Sequence, residues 1–164
     1  MAGNNRPRHL MRFVSMETIE KSIEVNAPIR QVYNQWTQFE EFPNFMEGVL
    51  EVRQLTDRKL FWRAKIGGKE KEWQAEITEQ VPDRQISWRS IDGAPTSGTV
   101  TFESIGPDKT RVTLRMEWQP EGAVEKAGGV LGVDSARVEG DLKRFRDFIE
   151  KRQVATGAYR QEHH

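Results

Sequence analysis

The chain is 164 residues long, 36% hydrophobic and 30% charged, with 25 Lys and Arg balanced by 25 Asp and Glu and no cysteine. That length favours one domain able to bury a core without staples, and the absent cysteine excludes disulfides and thiolate metal sites. Balanced charge leaves no electrostatic footprint for nucleic acid or anionic lipid, and no run approaches the roughly 18 apolar residues of a transmembrane segment.

The first residues, "MAGNNRPRHLMRF", lack the apolar stretch of a signal peptide, so residues 1–15 read as a flexible N-terminal tail on a cytoplasmic protein. Then "ETIEKSIEV" puts Ile19, Ile23 and Val25 on one parity, a strand signal. Asn26 ahead of Ala27-Pro28 predicts a capped helix start. Ile29, Val32, Tyr33 and Trp36 follow at helical spacing. A second short helix around Phe39 to Phe42 is expected to stop near Pro43.

After Gly48 the period changes to two. Leu60, Trp62, Ala64 and Ile66 share one face. Beyond the Gly67-Gly68 turn, Trp73, Ala75, Ile77 and Val81 share another, opposite Glu70, Glu72, Gln74 and Glu76. Ile86 and Trp88 continue the pattern, as do Gly98, Val100 and Phe102, then Val112, Leu114, Met116 and Trp118. With the first strand this makes six alternating segments joined as hairpins, each later one apolar on one side and charged on the other. Such an antiparallel sheet has one wet face and needs a cover for the dry one. The cover comes last: Val138, Leu142, Phe145 and Ile149 recur at helical spacing from about Asp134 to Arg152. Between sheet and cover, residues 120–132 hold four glycines and read as a gate.

Catalytic chemistry is thinly marked. All three histidines, His9, His163 and His164, fall at the chain ends, so a histidine acid–base centre is not expected. There is no HExxH and no phosphate-binding GxxxxGK[ST]. Glu79 and Lys21 share inward parity but suit a rim or an edge. Ser90 follows Trp88 inward, as a ligand contact or a satisfied core hydroxyl. Tyr33 and Arg137 are placed to reach inward from the helices; Arg137 equally suits a surface pair with Glu139 or Asp141.

The stretches "SIEVNAPIRQVYNQWTQFEEFPNFM", "WQAEITEQVPDRQISWRSIDG", "GTVTFES" and "LRMEWQPEG" ahead of "DLKRF" resemble the polyketide cyclase/dehydrase branch of the START-like (Bet v 1-like, SRPBCC) superfamily. The terminal "GAYR" is similar to a tail in bacterial members. The resemblance implies an α+β helix-grip fold over residues 16–155, with residues 156–164 a C-terminal tail. In that fold a curved seven-stranded antiparallel sheet wraps a long C-terminal helix, with two short helices after the first strand. The longest helix coming last argues against a cystatin-like cone, in which helices precede the sheet.

The resemblance also implies a central cavity between sheet and helix that binds a hydrophobic small molecule: a lipid, a polyketide or an isoprenoid-like compound. No cofactor, no metal and no nucleic-acid partner is expected. The alternatives are a cofactor-free cyclase or dehydratase acting in the same cavity, and an interaction module with the cavity filled. Residues expected to contact the ligand are Phe42 and Phe45 from the short helices and Trp62, Trp73, Ile77, Trp88 and Ser90 from the middle strands. Phe102, Leu114, Met116 and Trp118 are expected to join them from the last strands, with Leu131 from the glycine-rich connection and Leu142 and Phe145 from the last helix. For any one ring of "WTQFEEFPNFMEGV", core packing is the better reading.

Overall fold

The computed structural model describes residues 17–66, 68–93, 95–118 and 135–163, with the side chains of the last helix to Arg152. In order come β1 (Glu17–Val25), α1 (Ile29–Trp36), a 3-10 helix (Phe39–Asn44), β2 (Val49–Gln54), β3 (Lys59–Ile66), β4 (Lys69–Val81), β5 (Gln85–Ser90), β6 (Thr96–Gly106), β7 (Lys109–Trp118) and α2 (Ser135–His163). The strands form one antiparallel seven-stranded sheet in the order β1-β7-β6-β5-β4-β3-β2. Hairpins join neighbours from β2 to β7, while β1 closes onto β7 and leaves β1 and β2 as the edges.

Alternation predicted six strands, and β2 is the seventh. Its period is hidden because a register shift falls between Val49 and Glu51, only Val52 is buried, and Leu50 is 40% exposed. An edge strand with bare backbone donors invites pairing with another chain. Here the Glu40 carboxylate accepts the Gln54 N–H at 3.1 Å, so the 3-10 helix covers part of that edge.

A second shift lies in β4, between Ile77 and Glu79. An extra residue reverses the side-chain parity beyond it. Glu79 therefore pairs with Ser87 and accepts a hydrogen bond from Gln85 on the wet face, instead of pointing inward. Gln80 turns inward in its place and donates to the Tyr33 hydroxyl at 3.1 Å.

Pro28 itself takes the N-cap of α1, with no side-chain cap; the Asn26 N–H instead donates to Glu150 of α2 at 2.8 Å. Helical spacing then buries Val32, Tyr33 and Trp36 on one face of α1. α2 buries Val138, Leu142, Phe145 and Ile149 against the sheet, each such side chain contributing about 1.5–3 kcal/mol. Its backbone continues to His163, through most of the segment expected as a tail.

Polar ties lock the helix to the short helices. Arg144 Nε donates to the Phe45 carbonyl at 2.9 Å, and Arg152 donates to Gln35 at 3.0 Å and Glu41 at 2.7 Å. The wet face carries cross-strand ion pairs such as Arg89–Glu76 at 3.1 Å and Arg111–Glu103 at 2.8 Å. Exposed pairs of this kind contribute about 0–1 kcal/mol.

Candidate functional site

Between the sheet and α2 lies a cavity of about 320 Å³, within the usual size for small-molecule sites. Its closed end is made by Trp36, Phe39 and Phe42, whose rings meet edge to face at 5.6 Å. The walls follow from strand parity. β3 supplies Leu60, Trp62 and Ala64, β4 supplies Trp73, Ala75 and Ile77, β5 supplies Ile86, Trp88 and Ser90, and β7 supplies Leu114 and Met116. Val138, Leu142 and Phe145 of α2 form the roof.

The aromatic lining is ordered. Trp62 stacks on Trp73, its register partner, and tilts against Phe42 with centroids 5.6 Å apart. Its Nε1 is buried with no hydrogen-bond partner among the described residues. On β5, the Ser90 hydroxyl accepts the Thr96 N–H at 3.0 Å, and both residues line the cavity.

Charged groups join the lining where the segment before β2 meets β3 and β4: Glu47, Arg137 and Asp141 beside Gly48, whose carbonyl accepts the Lys65 N–H, and Lys71 and Glu72 opposite Ala64 and Arg63. Successive turns of α2 grip the segment before β2. Arg137 Nη1 donates to the Glu47 carbonyl at 3.0 Å, and Asp141 Oδ1 accepts the Glu47 N–H at 3.1 Å. Arg144 Nη2 donates to the same Asp141 oxygen. Gly48 has φ +86°, and a Cβ there would lie 2.6 Å from Arg137 Nη1 and 3.1 Å from the Lys65 carbonyl, so glycine meets both a backbone and a space requirement. The Asp141 side chain is only 17% exposed. Burial raises its pKa above the ordinary carboxylate value, outweighing the hydrogen bonds from Arg144 and the Glu47 N–H.

Phe42, Trp62, Trp73, Ile77, Trp88, Ser90, Leu114, Met116, Leu142 and Phe145 all reach the cavity wall. Three residues expected there do not. Phe45 is buried between Phe145 and Phe148 of α2, with centroids at 5.2 and 5.4 Å. Phe102 lies lower on its strand, beneath α1, packed on Tyr33 at 5.5 Å and Trp36 at 6.3 Å. Trp118 is buried at the end of β7, opposite Thr96 and Glu17, rather than on the wall. Leu131 and the expected gate at 120–132 lie outside the described residues. Tyr33 meets Phe102 and Gln80 instead of the cavity.

Residues 25–146 match the profile of a protein family described as polyketide cyclase / dehydrase and lipid transport. The chain belongs to that family. One curated relative of this polyketide cyclase/dehydrase family member is an uncharacterized 17.2 kDa protein of Streptomyces lincolnensis, 45% identical over 146 residues that cover 88% of this chain and 97% of the relative. Among solved structures, a Deinococcus radiodurans protein is 25% identical, with a TM-score of 0.63 over 80% of this chain and 95% of that one. The Zhui aromatase/cyclase of a Streptomyces species superposes with a TM-score of 0.74 at 18% identity, over 87% of this chain and 99% of that one. A START superfamily protein from Mycobacterium smegmatis does so with a TM-score of 0.69 at 17% identity, over 82% of this chain and 97% of that one. These last two likenesses bear on the fold alone, which is an α+β helix-grip fold. No helix among the described residues of this family member is long and apolar enough to cross a membrane.

Glu47 and Asp141 went unmarked as cavity residues in the sequence. They are 94 residues apart, and no local pattern joins them. The one available signal was spacing: Arg137 and Asp141 sit one turn apart and directly precede Val138 and Leu142 on the apolar stripe.

Proposed function

We propose that this protein binds a hydrophobic small molecule in the cavity between the sheet and α2, its apolar part among Trp62, Trp73 and Trp88 and its polar end toward Lys71, Arg137 and Asp141. The observation that carries the reading is the open volume of about 320 Å³ with an aromatic interior and its charged groups gathered around Gly48 and the β3–β4 pair. Such a division suits an amphipathic ligand: stacking and burial hold the body, and a few convergent polar groups fix its direction. The family description, which names lipid transport beside cyclase and dehydrase, agrees with it. The same volume speaks against an interaction module with a filled core.

The test is titration of the folded protein with an environment-sensitive apolar dye. Saturable binding that perturbs tryptophan emission is expected, weakened in Trp73→Ala and Trp88→Ala variants that keep their fold. Unchanged binding in both variants would move the site elsewhere.

A second reading, a cofactor-free cyclase or dehydratase, is favoured by one feature. Asp141 is a shielded carboxyl at the cavity wall with a raised pKa, one helical turn from Arg137. A carboxylate so placed can take a proton next to a ketone, while a guanidinium steadies the enolate oxygen. Mass spectrometry of a poly-β-ketone incubated with the protein separates the readings: recovery of unchanged compound leaves binding, and loss of water that Asp141→Asn abolishes establishes catalysis.

A further inference from the structure

Trp88 of β5, Gly98 of β6 and Met116 of β7 are register partners in a row across the sheet. A glycine inside a strand weakens it and asks for a reason. Backbone conformation is not the reason, because the positive-φ glycines among the described residues are Gly48, Gly68 and Gly93. Space is. A Cβ at position 98 would lie 2.4 Å from Cζ2 and 2.7 Å from Cε2 of Trp88, and 2.9 Å from the Met116 sulfur. Real Cβ contacts do not come that close, so the Trp88 indole occupies the room that any other residue at 98 would need. Met116 is flexible and can yield. The indole is rigid, with the sheet beneath it and Ile77 of β4 opposite it on its other flank. A side chain at 98 therefore has one way to move the ring: up, into the cavity that Trp88 lines.

We infer that Gly98 determines ligand specificity, by letting Trp88 lie low enough for a broad, multi-ring apolar ligand to rest over it. The inference builds on the ligand-binding reading and adds the residue that sets the depth of the site. A purely structural glycine would affect all ligands alike, whereas a depth-setting one discriminates by size.

The experiment measures affinities for phenol, naphthol and hydroxypyrene by calorimetry, with circular dichroism as the check on folding. Overpacking of a filled site predicts that Gly98→Ala weakens hydroxypyrene by about tenfold and phenol by less than about threefold. The double variant Gly98→Ala/Trp88→Phe, with a smaller ring, should recover most of the hydroxypyrene affinity. An equal loss across the series, no loss at all, or a double variant no better than Gly98→Ala overturns the inference. If Gly98→Ala does not fold, Trp88→Phe on the native glycine decides: the hydroxypyrene-to-phenol affinity ratio must rise, and an unchanged or lower ratio is a refutation. Wild-type protein that binds neither the series nor an apolar dye refutes ligand binding itself, and this inference with it. Dye binding with an unaltered size profile in the variants refutes this inference alone.

Discussion

The indoles of Trp62 and Trp73 lie parallel across the β3–β4 register, tilted by 6° with centroids 5.8 Å apart. The Trp62 N–H is buried without a partner among the described residues, a state that costs about 1–3 kcal/mol. Trp62→Phe keeps a ring in the stack and removes that donor. Its stability, from urea unfolding, should therefore differ from wild type by less than about 1 kcal/mol, the lost area being offset by the lost penalty. A larger drop would mean that the N–H is satisfied in solution.

Tryptophans buried to different depths should respond differently to truncation. Trp36 is 2% exposed and meets Phe42, Phe102 and Phe145 edge to face. Trp36→Ala should cost about 3–5 kcal/mol. Trp73 is half-buried on the cavity wall, so Trp73→Ala should cost only about 1–2 kcal/mol, mostly the stacked contact and part of its area. Chemical denaturation of the two variants side by side tests this, and equal losses would make Trp73 a core residue.

Thr110 is fully buried, and its hydroxyl donates to the Ala27 carbonyl at 2.8 Å, tying β7 to the turn before α1. Thr110→Val preserves the shape and strands the carbonyl, so a loss of about 1–3 kcal/mol is expected. Thr110→Ser retains the bond and should lose only about 1 kcal/mol for the missing methyl. Thermal unfolding that ranks valine at or above serine would remove the bond from the account.

Asp141 makes stability depend on pH in an unusual direction for an ion-paired carboxylate. Its pKa is raised in the folded state, chiefly by burial. The folded protein therefore holds this proton more tightly than the unfolded chain, and the group's share of stability is lost as pH rises through the carboxylate range. In the Asp141→Asn variant the amide would still offer an oxygen to the Glu47 N–H and would not titrate. The stability of Asp141→Asn relative to wild type should then improve as pH rises above the ordinary aspartate value, and level off once the folded carboxyl has ionised. Urea midpoints across the carboxylate range provide the check, and a difference that is flat throughout or declines with pH contradicts the burial argument.

Which residues face inward was legible wherever period-two alternation ran undisturbed: Trp62, Trp73, Trp88, Leu114 and Met116 reach the wall as their parity indicated. The terminal helix was equally plain, because Val138, Leu142, Phe145 and Ile149 form one stripe. Alternation is local, and it failed where the backbone gained a residue. The shift after Ile77 turned Glu79 out and Gln80 in, and the shift at Val49 hid β2, whose presence was expected only by family resemblance.

Parity also assigns a side chain to a face without saying how far along the strand the cavity extends. Phe102 and Leu114 share the inward face, yet only Leu114 meets the cavity, because α1 covers the level of Phe102. Of the charged groups at the site, only Arg137 was read as able to reach inward. Asp141 and Arg137 meet the backbone of Glu47 across more than half the chain, and the burial that raises the Asp141 pKa exists only once α2 closes over the sheet. The sequence alone determined the periodicities, and with them the elements and their faces. Depth, the parity reversals at the bulges and the electrostatics of the site depend on contacts between distant segments, and those the tertiary structure decided.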